Sequence, residues 1–268
     1  MAEYFDCVSA DAKFLKGEYK EAFELYFKGA TEYGSSRAAF DLGYMYHRGI
    51  HVPVNYKMAR DYYIYASLLD GGAPLFNLAL MCLRGQGEAP DFKKAVEYMR
   101  RADSVGCVDA QIYLGTAYTV GFAFDPIEIE CISMIPFYRV IKKDPSSFLL
   151  SNNVGGSGND PELEAERFEA VEADEFSAVE MFEKASRQKD TTYIEAQVGS
   201  AKFFLGQALI EGIGKEYSPA KGYRLIEAAA LENGSREAAA FLVARNEEAR
   251  AFGIDPRRVA GILSDKKG

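Results

Sequence analysis

A string of the form Leu-Gly-x-x-Tyr-x-x-Gly returns along this chain at set intervals, and that periodicity limits the fold more than any other feature. Leu42-Gly43-Tyr44-Met45-Tyr46-His47-Arg48-Gly49 aligns with Leu78-Ala79-Leu80-Met81-Cys82-Leu83-Arg84-Gly85 and with Leu114-Gly115-Thr116-Ala117-Tyr118-Thr119-Val120-Gly121, each 36 residues after the one before. A fourth copy, Leu205-Gly206-Gln207-Ala208-Leu209-Ile210-Glu211-Gly212, starts 91 residues beyond the third. Self-similarity of this length is the mark of an array in which each unit covers its neighbour.

The remainder of each unit repeats as well. Ala22, Ala59, Ala95, Ala178 and Gly222 each stand 7 residues before another small residue: Gly29, Ala66, Ala102, Ala185 and Ala229. Large side chains lie between them, as in Leu25-Tyr26, Tyr62-Tyr63, Tyr98-Met99, Met181-Phe182 and Leu225-Ile226. Spacings of three, four and seven trace one face of a helix, with small residues admitting a close neighbour and large ones filling its grooves. Gly34, Gly71, Gly106 and Gly234 stand where this second helix ends and a left-handed cap is expected. Each unit therefore reads as helix, glycine-containing turn, helix. Two helices cannot bury their apolar faces alone, so the units must stack.

These residues resemble the Sel-one-like repeat (SLR) family, a relative of the tetratricopeptide repeat. The likeness rests on the Leu-Gly string, on the Gly and Asp or Asn that follow it, and on Lys-Ala or Lys-x-Ala opening the second helix. Gly85-Gln86-Gly87 with Asp91-Phe92-Lys93-Lys94-Ala95 carries it most fully; Gly49 with Val52 and Asn55-Tyr56-Lys57-Met58-Ala59 follows closely. The expected fold is all-α: a right-handed superhelical α/α solenoid of about five helix-pair repeats plus a terminal helix. The family implies scaffolding and partner binding rather than one activity. The first unit lacks the Leu-Gly string, as a capping repeat does, with Phe5–Lys16 as its first helix. Glu237–Ala251 reads as a final first helix, and Asp255-Pro256 as the start of a short terminal turn.

The third Leu-Gly unit is interrupted by 47 extra residues after Gly121. Three segments follow: helix-pair repeats over 1–121, an insertion over 122–174, and repeats with a capping helix over 175–268. Asp125–Ile141 is dense in Ile, Met and Phe; Asp125-Pro126 has the signals of a helix start, and Pro136 would end that helix. Any strand in the chain is expected to be a small amount from Ile127–Ile141, and the Gly/Ser-rich stretch that follows holds turn formers. Asp160-Pro161-Glu162 has the signals of a helix start, with the helix expected to run to about Lys189. On it Phe168, Val171, Phe176, Val179 and Phe182 share an arc. Residues 160–183 carry ten acids against the single base Arg167, which reads as a solvated face or as a ridge for a basic partner.

The acids are in excess along the whole chain, with 40 Asp and Glu against 31 Lys and Arg, which argues against a duplex nucleic-acid partner. No apolar run is long enough to span a membrane, and the acidic start Met1–Asp6 does not read as a secretory signal. Cys7, Cys82, Cys107 and Cys131 are widely spaced with no Cys-x-x-Cys, so four free thiols and a cytoplasmic setting are expected.

Chemistry is sparse. His47 and His51, the only histidines, flank a turn with no companion ligand set, and read as surface or turn residues. Ser218-Pro219-Ala220-Lys221 has the Ser-x-x-Lys spacing of penicillin-binding enzymes, yet their companion motifs are absent and Ser218 fits a helix N-cap. Gly85-x-Gly87 and Gly212-x-Gly214 lack the Gly-Lys-Ser/Thr of a phosphate loop and belong to the repeat turn. The abundant tyrosines, Tyr46 and Tyr63 among them, read as packing residues. No catalytic residue, metal ligand, cofactor or small-molecule substrate is expected.

A protein or peptide partner is the expectation instead, held in a concave groove lined by the first helices. If Ala39, Leu42, Gly43 and Tyr46 pack, then Arg37, Asp41, Tyr44 and Arg48 face away, with Asn77 and Arg84, Tyr113, and Phe204 and Gln207 in equivalent places. Phe148 and Leu149, an apolar pair in the insertion, would add a contact on binding. The readings weighed are an adaptor or scaffold, a cytosolic neutraliser of a toxin or effector, and a hydrolase whose site lies in the insertion. The lack of a nucleophile–base pairing favours a non-enzymatic interaction protein.

Overall fold

The structure is a computed structural model, and it describes residues 5, 7–69, 71–120, 174–188, 195–215 and 217–264. The helix start at Asp125, the small strand contribution of Ile127–Ile141, the helix start at Asp160, and Phe148, Leu149 and Cys131 lie outside them. All regular structure among the described residues is helical. The chain forms two compact units, with described residues 5–107 in the first and 108–120 and 174–264 in the second.

The first unit runs α1 (Val8–Leu15), α2 (Tyr19–Glu32), α3 (Ser36–Arg48), α4 (Tyr56–Leu69), α5 (Gly72–Arg84) and α6 (Phe92–Ser104), each packed on the next. The second holds α7 (Val108–Val120), α8 (Glu175–Ser186), α9 (Glu195–Glu211), α10 (Pro219–Leu231), α11 (Arg236–Ala244), α12 (Asn246–Ala251) and α13 (Arg257–Ser264). Among the described residues five helix pairs are thus present, as the periodicity predicts, followed by three short helices where one terminal helix is expected.

The packing explains the recurring small residue. A Cβ built on Gly43 would lie 2.7 Å from the Tyr63 ring, one on Gly115 2.6 Å from the Phe182 ring, and one on Gly206 2.5 Å from Ile226. Where the repeat has Ala79 instead, the second helix supplies fully buried Met99, a more adaptable side chain. Tyr63 and Ile226 are also fully buried, each such side chain contributing about 1.5–3 kcal/mol.

Turns repeat at the level of single hydrogen bonds. The backbone N–H of Asn55 donates to the Tyr46 carbonyl at 2.9 Å, Asp91 to Cys82 at 3.0 Å and Ser218 to Leu209 at 2.9 Å. Asn55 and Asp91 also cap the helices they precede, accepting from the N–H groups of Met58 at 3.0 Å and Lys94 at 2.8 Å. Ser218 occupies the same N-cap position, but its side chain makes no such bond. Pro219 at the first helical turn sets the chain's entry through its locked φ.

Three further expectations need correction. Gly34, Gly106 and Gly234 are left-handed at φ +64°, +83° and +65°, whereas Gly71 has φ −112° and instead precedes α5. Asp174 is extended at φ −145° and caps α8, so no continuous helix runs through it from Asp160; Phe176 in the first turn is consequently exposed rather than part of the buried arc. Past α11 the chain breaks at Arg245, and α13 is a packed helix rather than a terminal turn. Its Val259 is fully buried, Arg258 pairs with Glu227 of α10 at 2.7 Å, and Arg236 of α11 donates to the Leu263 carbonyl at 3.1 Å. Cys7, Cys82 and Cys107 are free thiols, as expected.

Candidate interaction surface

The first-helix row does not form one open face. Asp41, Tyr44, Asn77 and Tyr113 are all buried, at 2–4% exposure. A first helix inside a stack has helices on both sides: α3 lies between α2 and α4, α5 between α4 and α6, and α7 against α8 and α9. The side turned from one neighbour meets another. Arg37 is committed internally, its Nε donating to Asp41 at 2.8 Å and its Nη2 to Asp11 of α1 at 3.3 Å. Arg48 is exposed, while Arg84, Phe204 and Gln207 are half-buried. Phe204 lies 5.2 Å from the ring of Phe182 and 5.8 Å from that of Phe203.

The first unit carries a different accessible feature, a series of rings running across three helices. Phe27 and Phe23 of α2 stack at 6.4 Å; Phe23 meets Tyr46 of α3 edge-on at 5.7 Å; Tyr46 stacks on Tyr62 of α4 at 5.8 Å with planes 9° apart. Phe27 is 46% exposed and the other three are half-buried, so part of the series reaches solvent. Partial burial raises the Tyr62 hydroxyl above the usual phenol range, leaving it a neutral donor and acceptor.

His51 adds a fifth ring, 5.7 Å from Phe23 and itself exposed. Among the described residues it is the one non-glycine residue with positive φ, at 64°. The corresponding turn positions are Gly87 at φ +89° and Gly214 at φ +61°. Histidine therefore stands where the repeat otherwise places glycine, at a backbone cost of about 1–2 kcal/mol for a side chain with a Cβ. Comparing Gly49-x-His51 with Gly85-x-Gly87 and Gly212-x-Gly214 reveals the substitution in sequence; the ring series itself depends on residues from three helices.

His47 is not a surface residue. It is buried, with Nδ1 3.3 Å from the Tyr63 hydroxyl of α4 and Nε2 2.8 Å from Oε1 of Gln86 in the turn after α5. Burial lowers its imidazole to about 4, so it is neutral near pH 7. Its side chain ties one repeat to the next rather than facing a ligand.

The Sel1 repeat family model matches residues 36–70, 75–102, 168–190 and 199–234. Among solved structures, a Sel1 repeat protein from Oxalobacter formigenes aligns with a TM-score of 0.62 at 17% identity, over 98% of this chain and 85% of that one. A protective antigen present in uropathogenic Escherichia coli strains and displaying an SLR fold is 18% identical, with a TM-score of 0.41 over 99% of this chain and 64% of that one. No curated protein sequence matches. With its helix pairs, its glycine turns and four matched segments, the chain carries Sel1 repeats, the pattern its Leu-Gly strings resemble.

Proposed function

We propose that this chain is a non-enzymatic protein-interaction module, an adaptor or scaffold, that holds a protein or peptide through the ring series of Phe23, Phe27, Tyr46, His51 and Tyr62. The observation that carries this reading is His51. An unfavourable backbone conformation kept at an exposed turn, where glycine would relieve it, points to a role for the side chain. Aromatic and arginine side chains supply much of the binding energy at protein interfaces, and Arg48 lies one turn of chain away from His51.

Arg84, Phe204 and Gln207 stay in the proposal as further accessible contacts, and the insertion with Phe148 and Leu149 as a second contributing element. Cytoplasmic residence belongs to the same reading. No helix among the described residues is long and apolar enough to cross a membrane.

The test is capture of partners by the full chain at native salt, run beside Phe23→Ser, His51→Gly and a deletion of Ser146–Asn159. A partner retained by the parent chain and lost at least tenfold by both point variants supports the surface. Identical capture by all four chains rejects it. Loss with the point variants alone keeps the ring series and reduces the insertion to a spacer.

A further inference from the structure

The proposed surface does not use the polar cluster at the N-terminal end of the first unit. Arg37 of α3 bonds Asp41 through Nε at 2.8 Å and reaches both carboxylate oxygens of Asp11 at 3.3 Å. The Tyr26 hydroxyl of α2 donates to Asp11 Oδ1 at 2.7 Å, and Cys7 Sγ, just ahead of α1, lies 4.0 Å from Ser35 Oγ. Side-chain exposure is 10% for Asp11, 5% for Asp41 and 27% for Arg37. Two carboxylates thus share one guanidinium in a site that water barely reaches.

The groups facing Asp41 come from three elements. Among the described residues they are Arg37 on its own helix, Asp11 and Cys7 at α1, and Tyr26 on α2. Cys7 stays a neutral thiol, since burial and the nearby Asp41 push it up to about 11, and burial keeps the Tyr26 phenol neutral as well. With both carboxylates ionised the cluster holds one uncompensated buried negative charge. Such pairs take up a proton in preference to bearing it.

We propose that Asp11, Arg37 and Asp41 form a proton-dependent latch, which fastens the capping helix α1 onto α3 while one proton is bound and loosens it when that proton leaves. Helix α1 is only 8 residues long, and Asp11 ties it to α2 through Tyr26 and to α3 through Arg37. Burial, opposed by the Arg37 guanidinium and aided by the charge of Asp11, raises Asp41 to about 7 from 3.8. The docked state therefore holds that proton more tightly than the state in which α1 and its Asp11 have moved away. Asp41 stays on α3 beside Arg37 when α1 leaves, but it then lacks the cover of α1 and the charge of Asp11, so the equilibrium for releasing α1 rises with pH up to about 7 and then levels off. Release bares Tyr26 and Arg37 at the end of the unit.

Hydrogen exchange on the full chain between pH 5 and pH 8.5, corrected for the intrinsic amide rate, reads this directly. Protection of the Val8–Leu15 amides should fall about tenfold from pH 5 to pH 7.5 and then level off, while α9 and α10 stay constant. Asp41→Asn, which has no proton to lose, should flatten the profile. Wild-type protection that is independent of pH, or an undiminished slope in Asp41→Asn, overturns the latch. Should that variant not fold, the carboxyl ¹³C shift of wild-type Asp41 decides: a midpoint near neutrality supports the latch, and one below pH 5 rejects it.

Discussion

The backbone N–H of Asp174 donates to the carbonyl of Tyr118 at 2.9 Å. Asn55 and Tyr46, Asp91 and Cys82, and Ser218 and Leu209 form the same bond across 9 residues of chain, whereas Asp174 and Tyr118 form it across 56. The insertion therefore leaves and re-enters the repeat through an unaltered turn closure. That closure is why the α7–α8 pair keeps the register of its neighbours, Gly115 still meeting Phe182 as Gly43 meets Tyr63.

Deleting residues 127–173 restores the nine-residue spacing and sets Pro126-Asp174 where another repeat has Pro90-Asp91. The chain should fold with its helical spectrum intact and melt a few degrees higher, because shortening the closed loop about sixfold removes roughly 1.6 kcal/mol of closure entropy. Circular dichroism melts check this, and a collapse of the helical signal would show that the repeat needs the inserted residues.

Glycine replacements should change stability with opposite sign at two helical sites. Gly206→Ala puts a methyl group 2.5 Å from Ile226 Cγ1 and 2.8 Å from the Gly222 carbonyl, which only separation of α9 and α10 relieves. Overpacking costs about 1–3 kcal/mol against about 1 kcal/mol gained in helix propensity, so the variant is less stable. Around Gly261 in α13 nothing lies within 4 Å, and Gly261→Ala should gain up to about 1 kcal/mol. Urea midpoints measure both.

His51→Gly should stabilise the chain by about 1 kcal/mol, since glycine accepts φ 64° without strain. The same change removes the ring beside Phe23 and should weaken partner capture. A higher melting temperature together with weaker capture would separate the role of His51 from folding. Lower stability would mean that the Phe23 contact outweighs the backbone strain.

Acid should act on His47. Its imidazole sits at about 4 in the folded chain against 6.5 when free, so between those values the unfolded chain takes up a proton that the folded chain refuses. The contribution is full above pH 6.5 and lost as pH falls, by about 2–3 kcal/mol at pH 4.5. His47→Gln removes this dependence. Asp41 changes stability in the opposite direction over the same interval, so the quantity to compare is the difference between parent and variant urea midpoints at pH 7 and pH 4.5. A difference that does not change with pH would contradict the assignment.

Local spacing was sufficient to show the helix-pair unit, the opposed small and large positions such as Gly43 and Tyr63, the turn glycines, and the N-cap roles of Asn55 and Asp91. These depend on neighbours within one unit, and a helical period together with a capping residue specifies them. The candidate surface was legible only in the exchange of glycine for His51. Tertiary structure decided which faces remain open: it buried Asp41, Tyr44, Asn77 and Tyr113, enclosed His47 with Tyr63 and Gln86, and joined Phe23, Tyr46 and Tyr62 into one series. The physical reason is that exposure belongs to a side chain's whole surroundings. A helical period shows which residues share a face, but the helices that cover that face lie elsewhere in the chain.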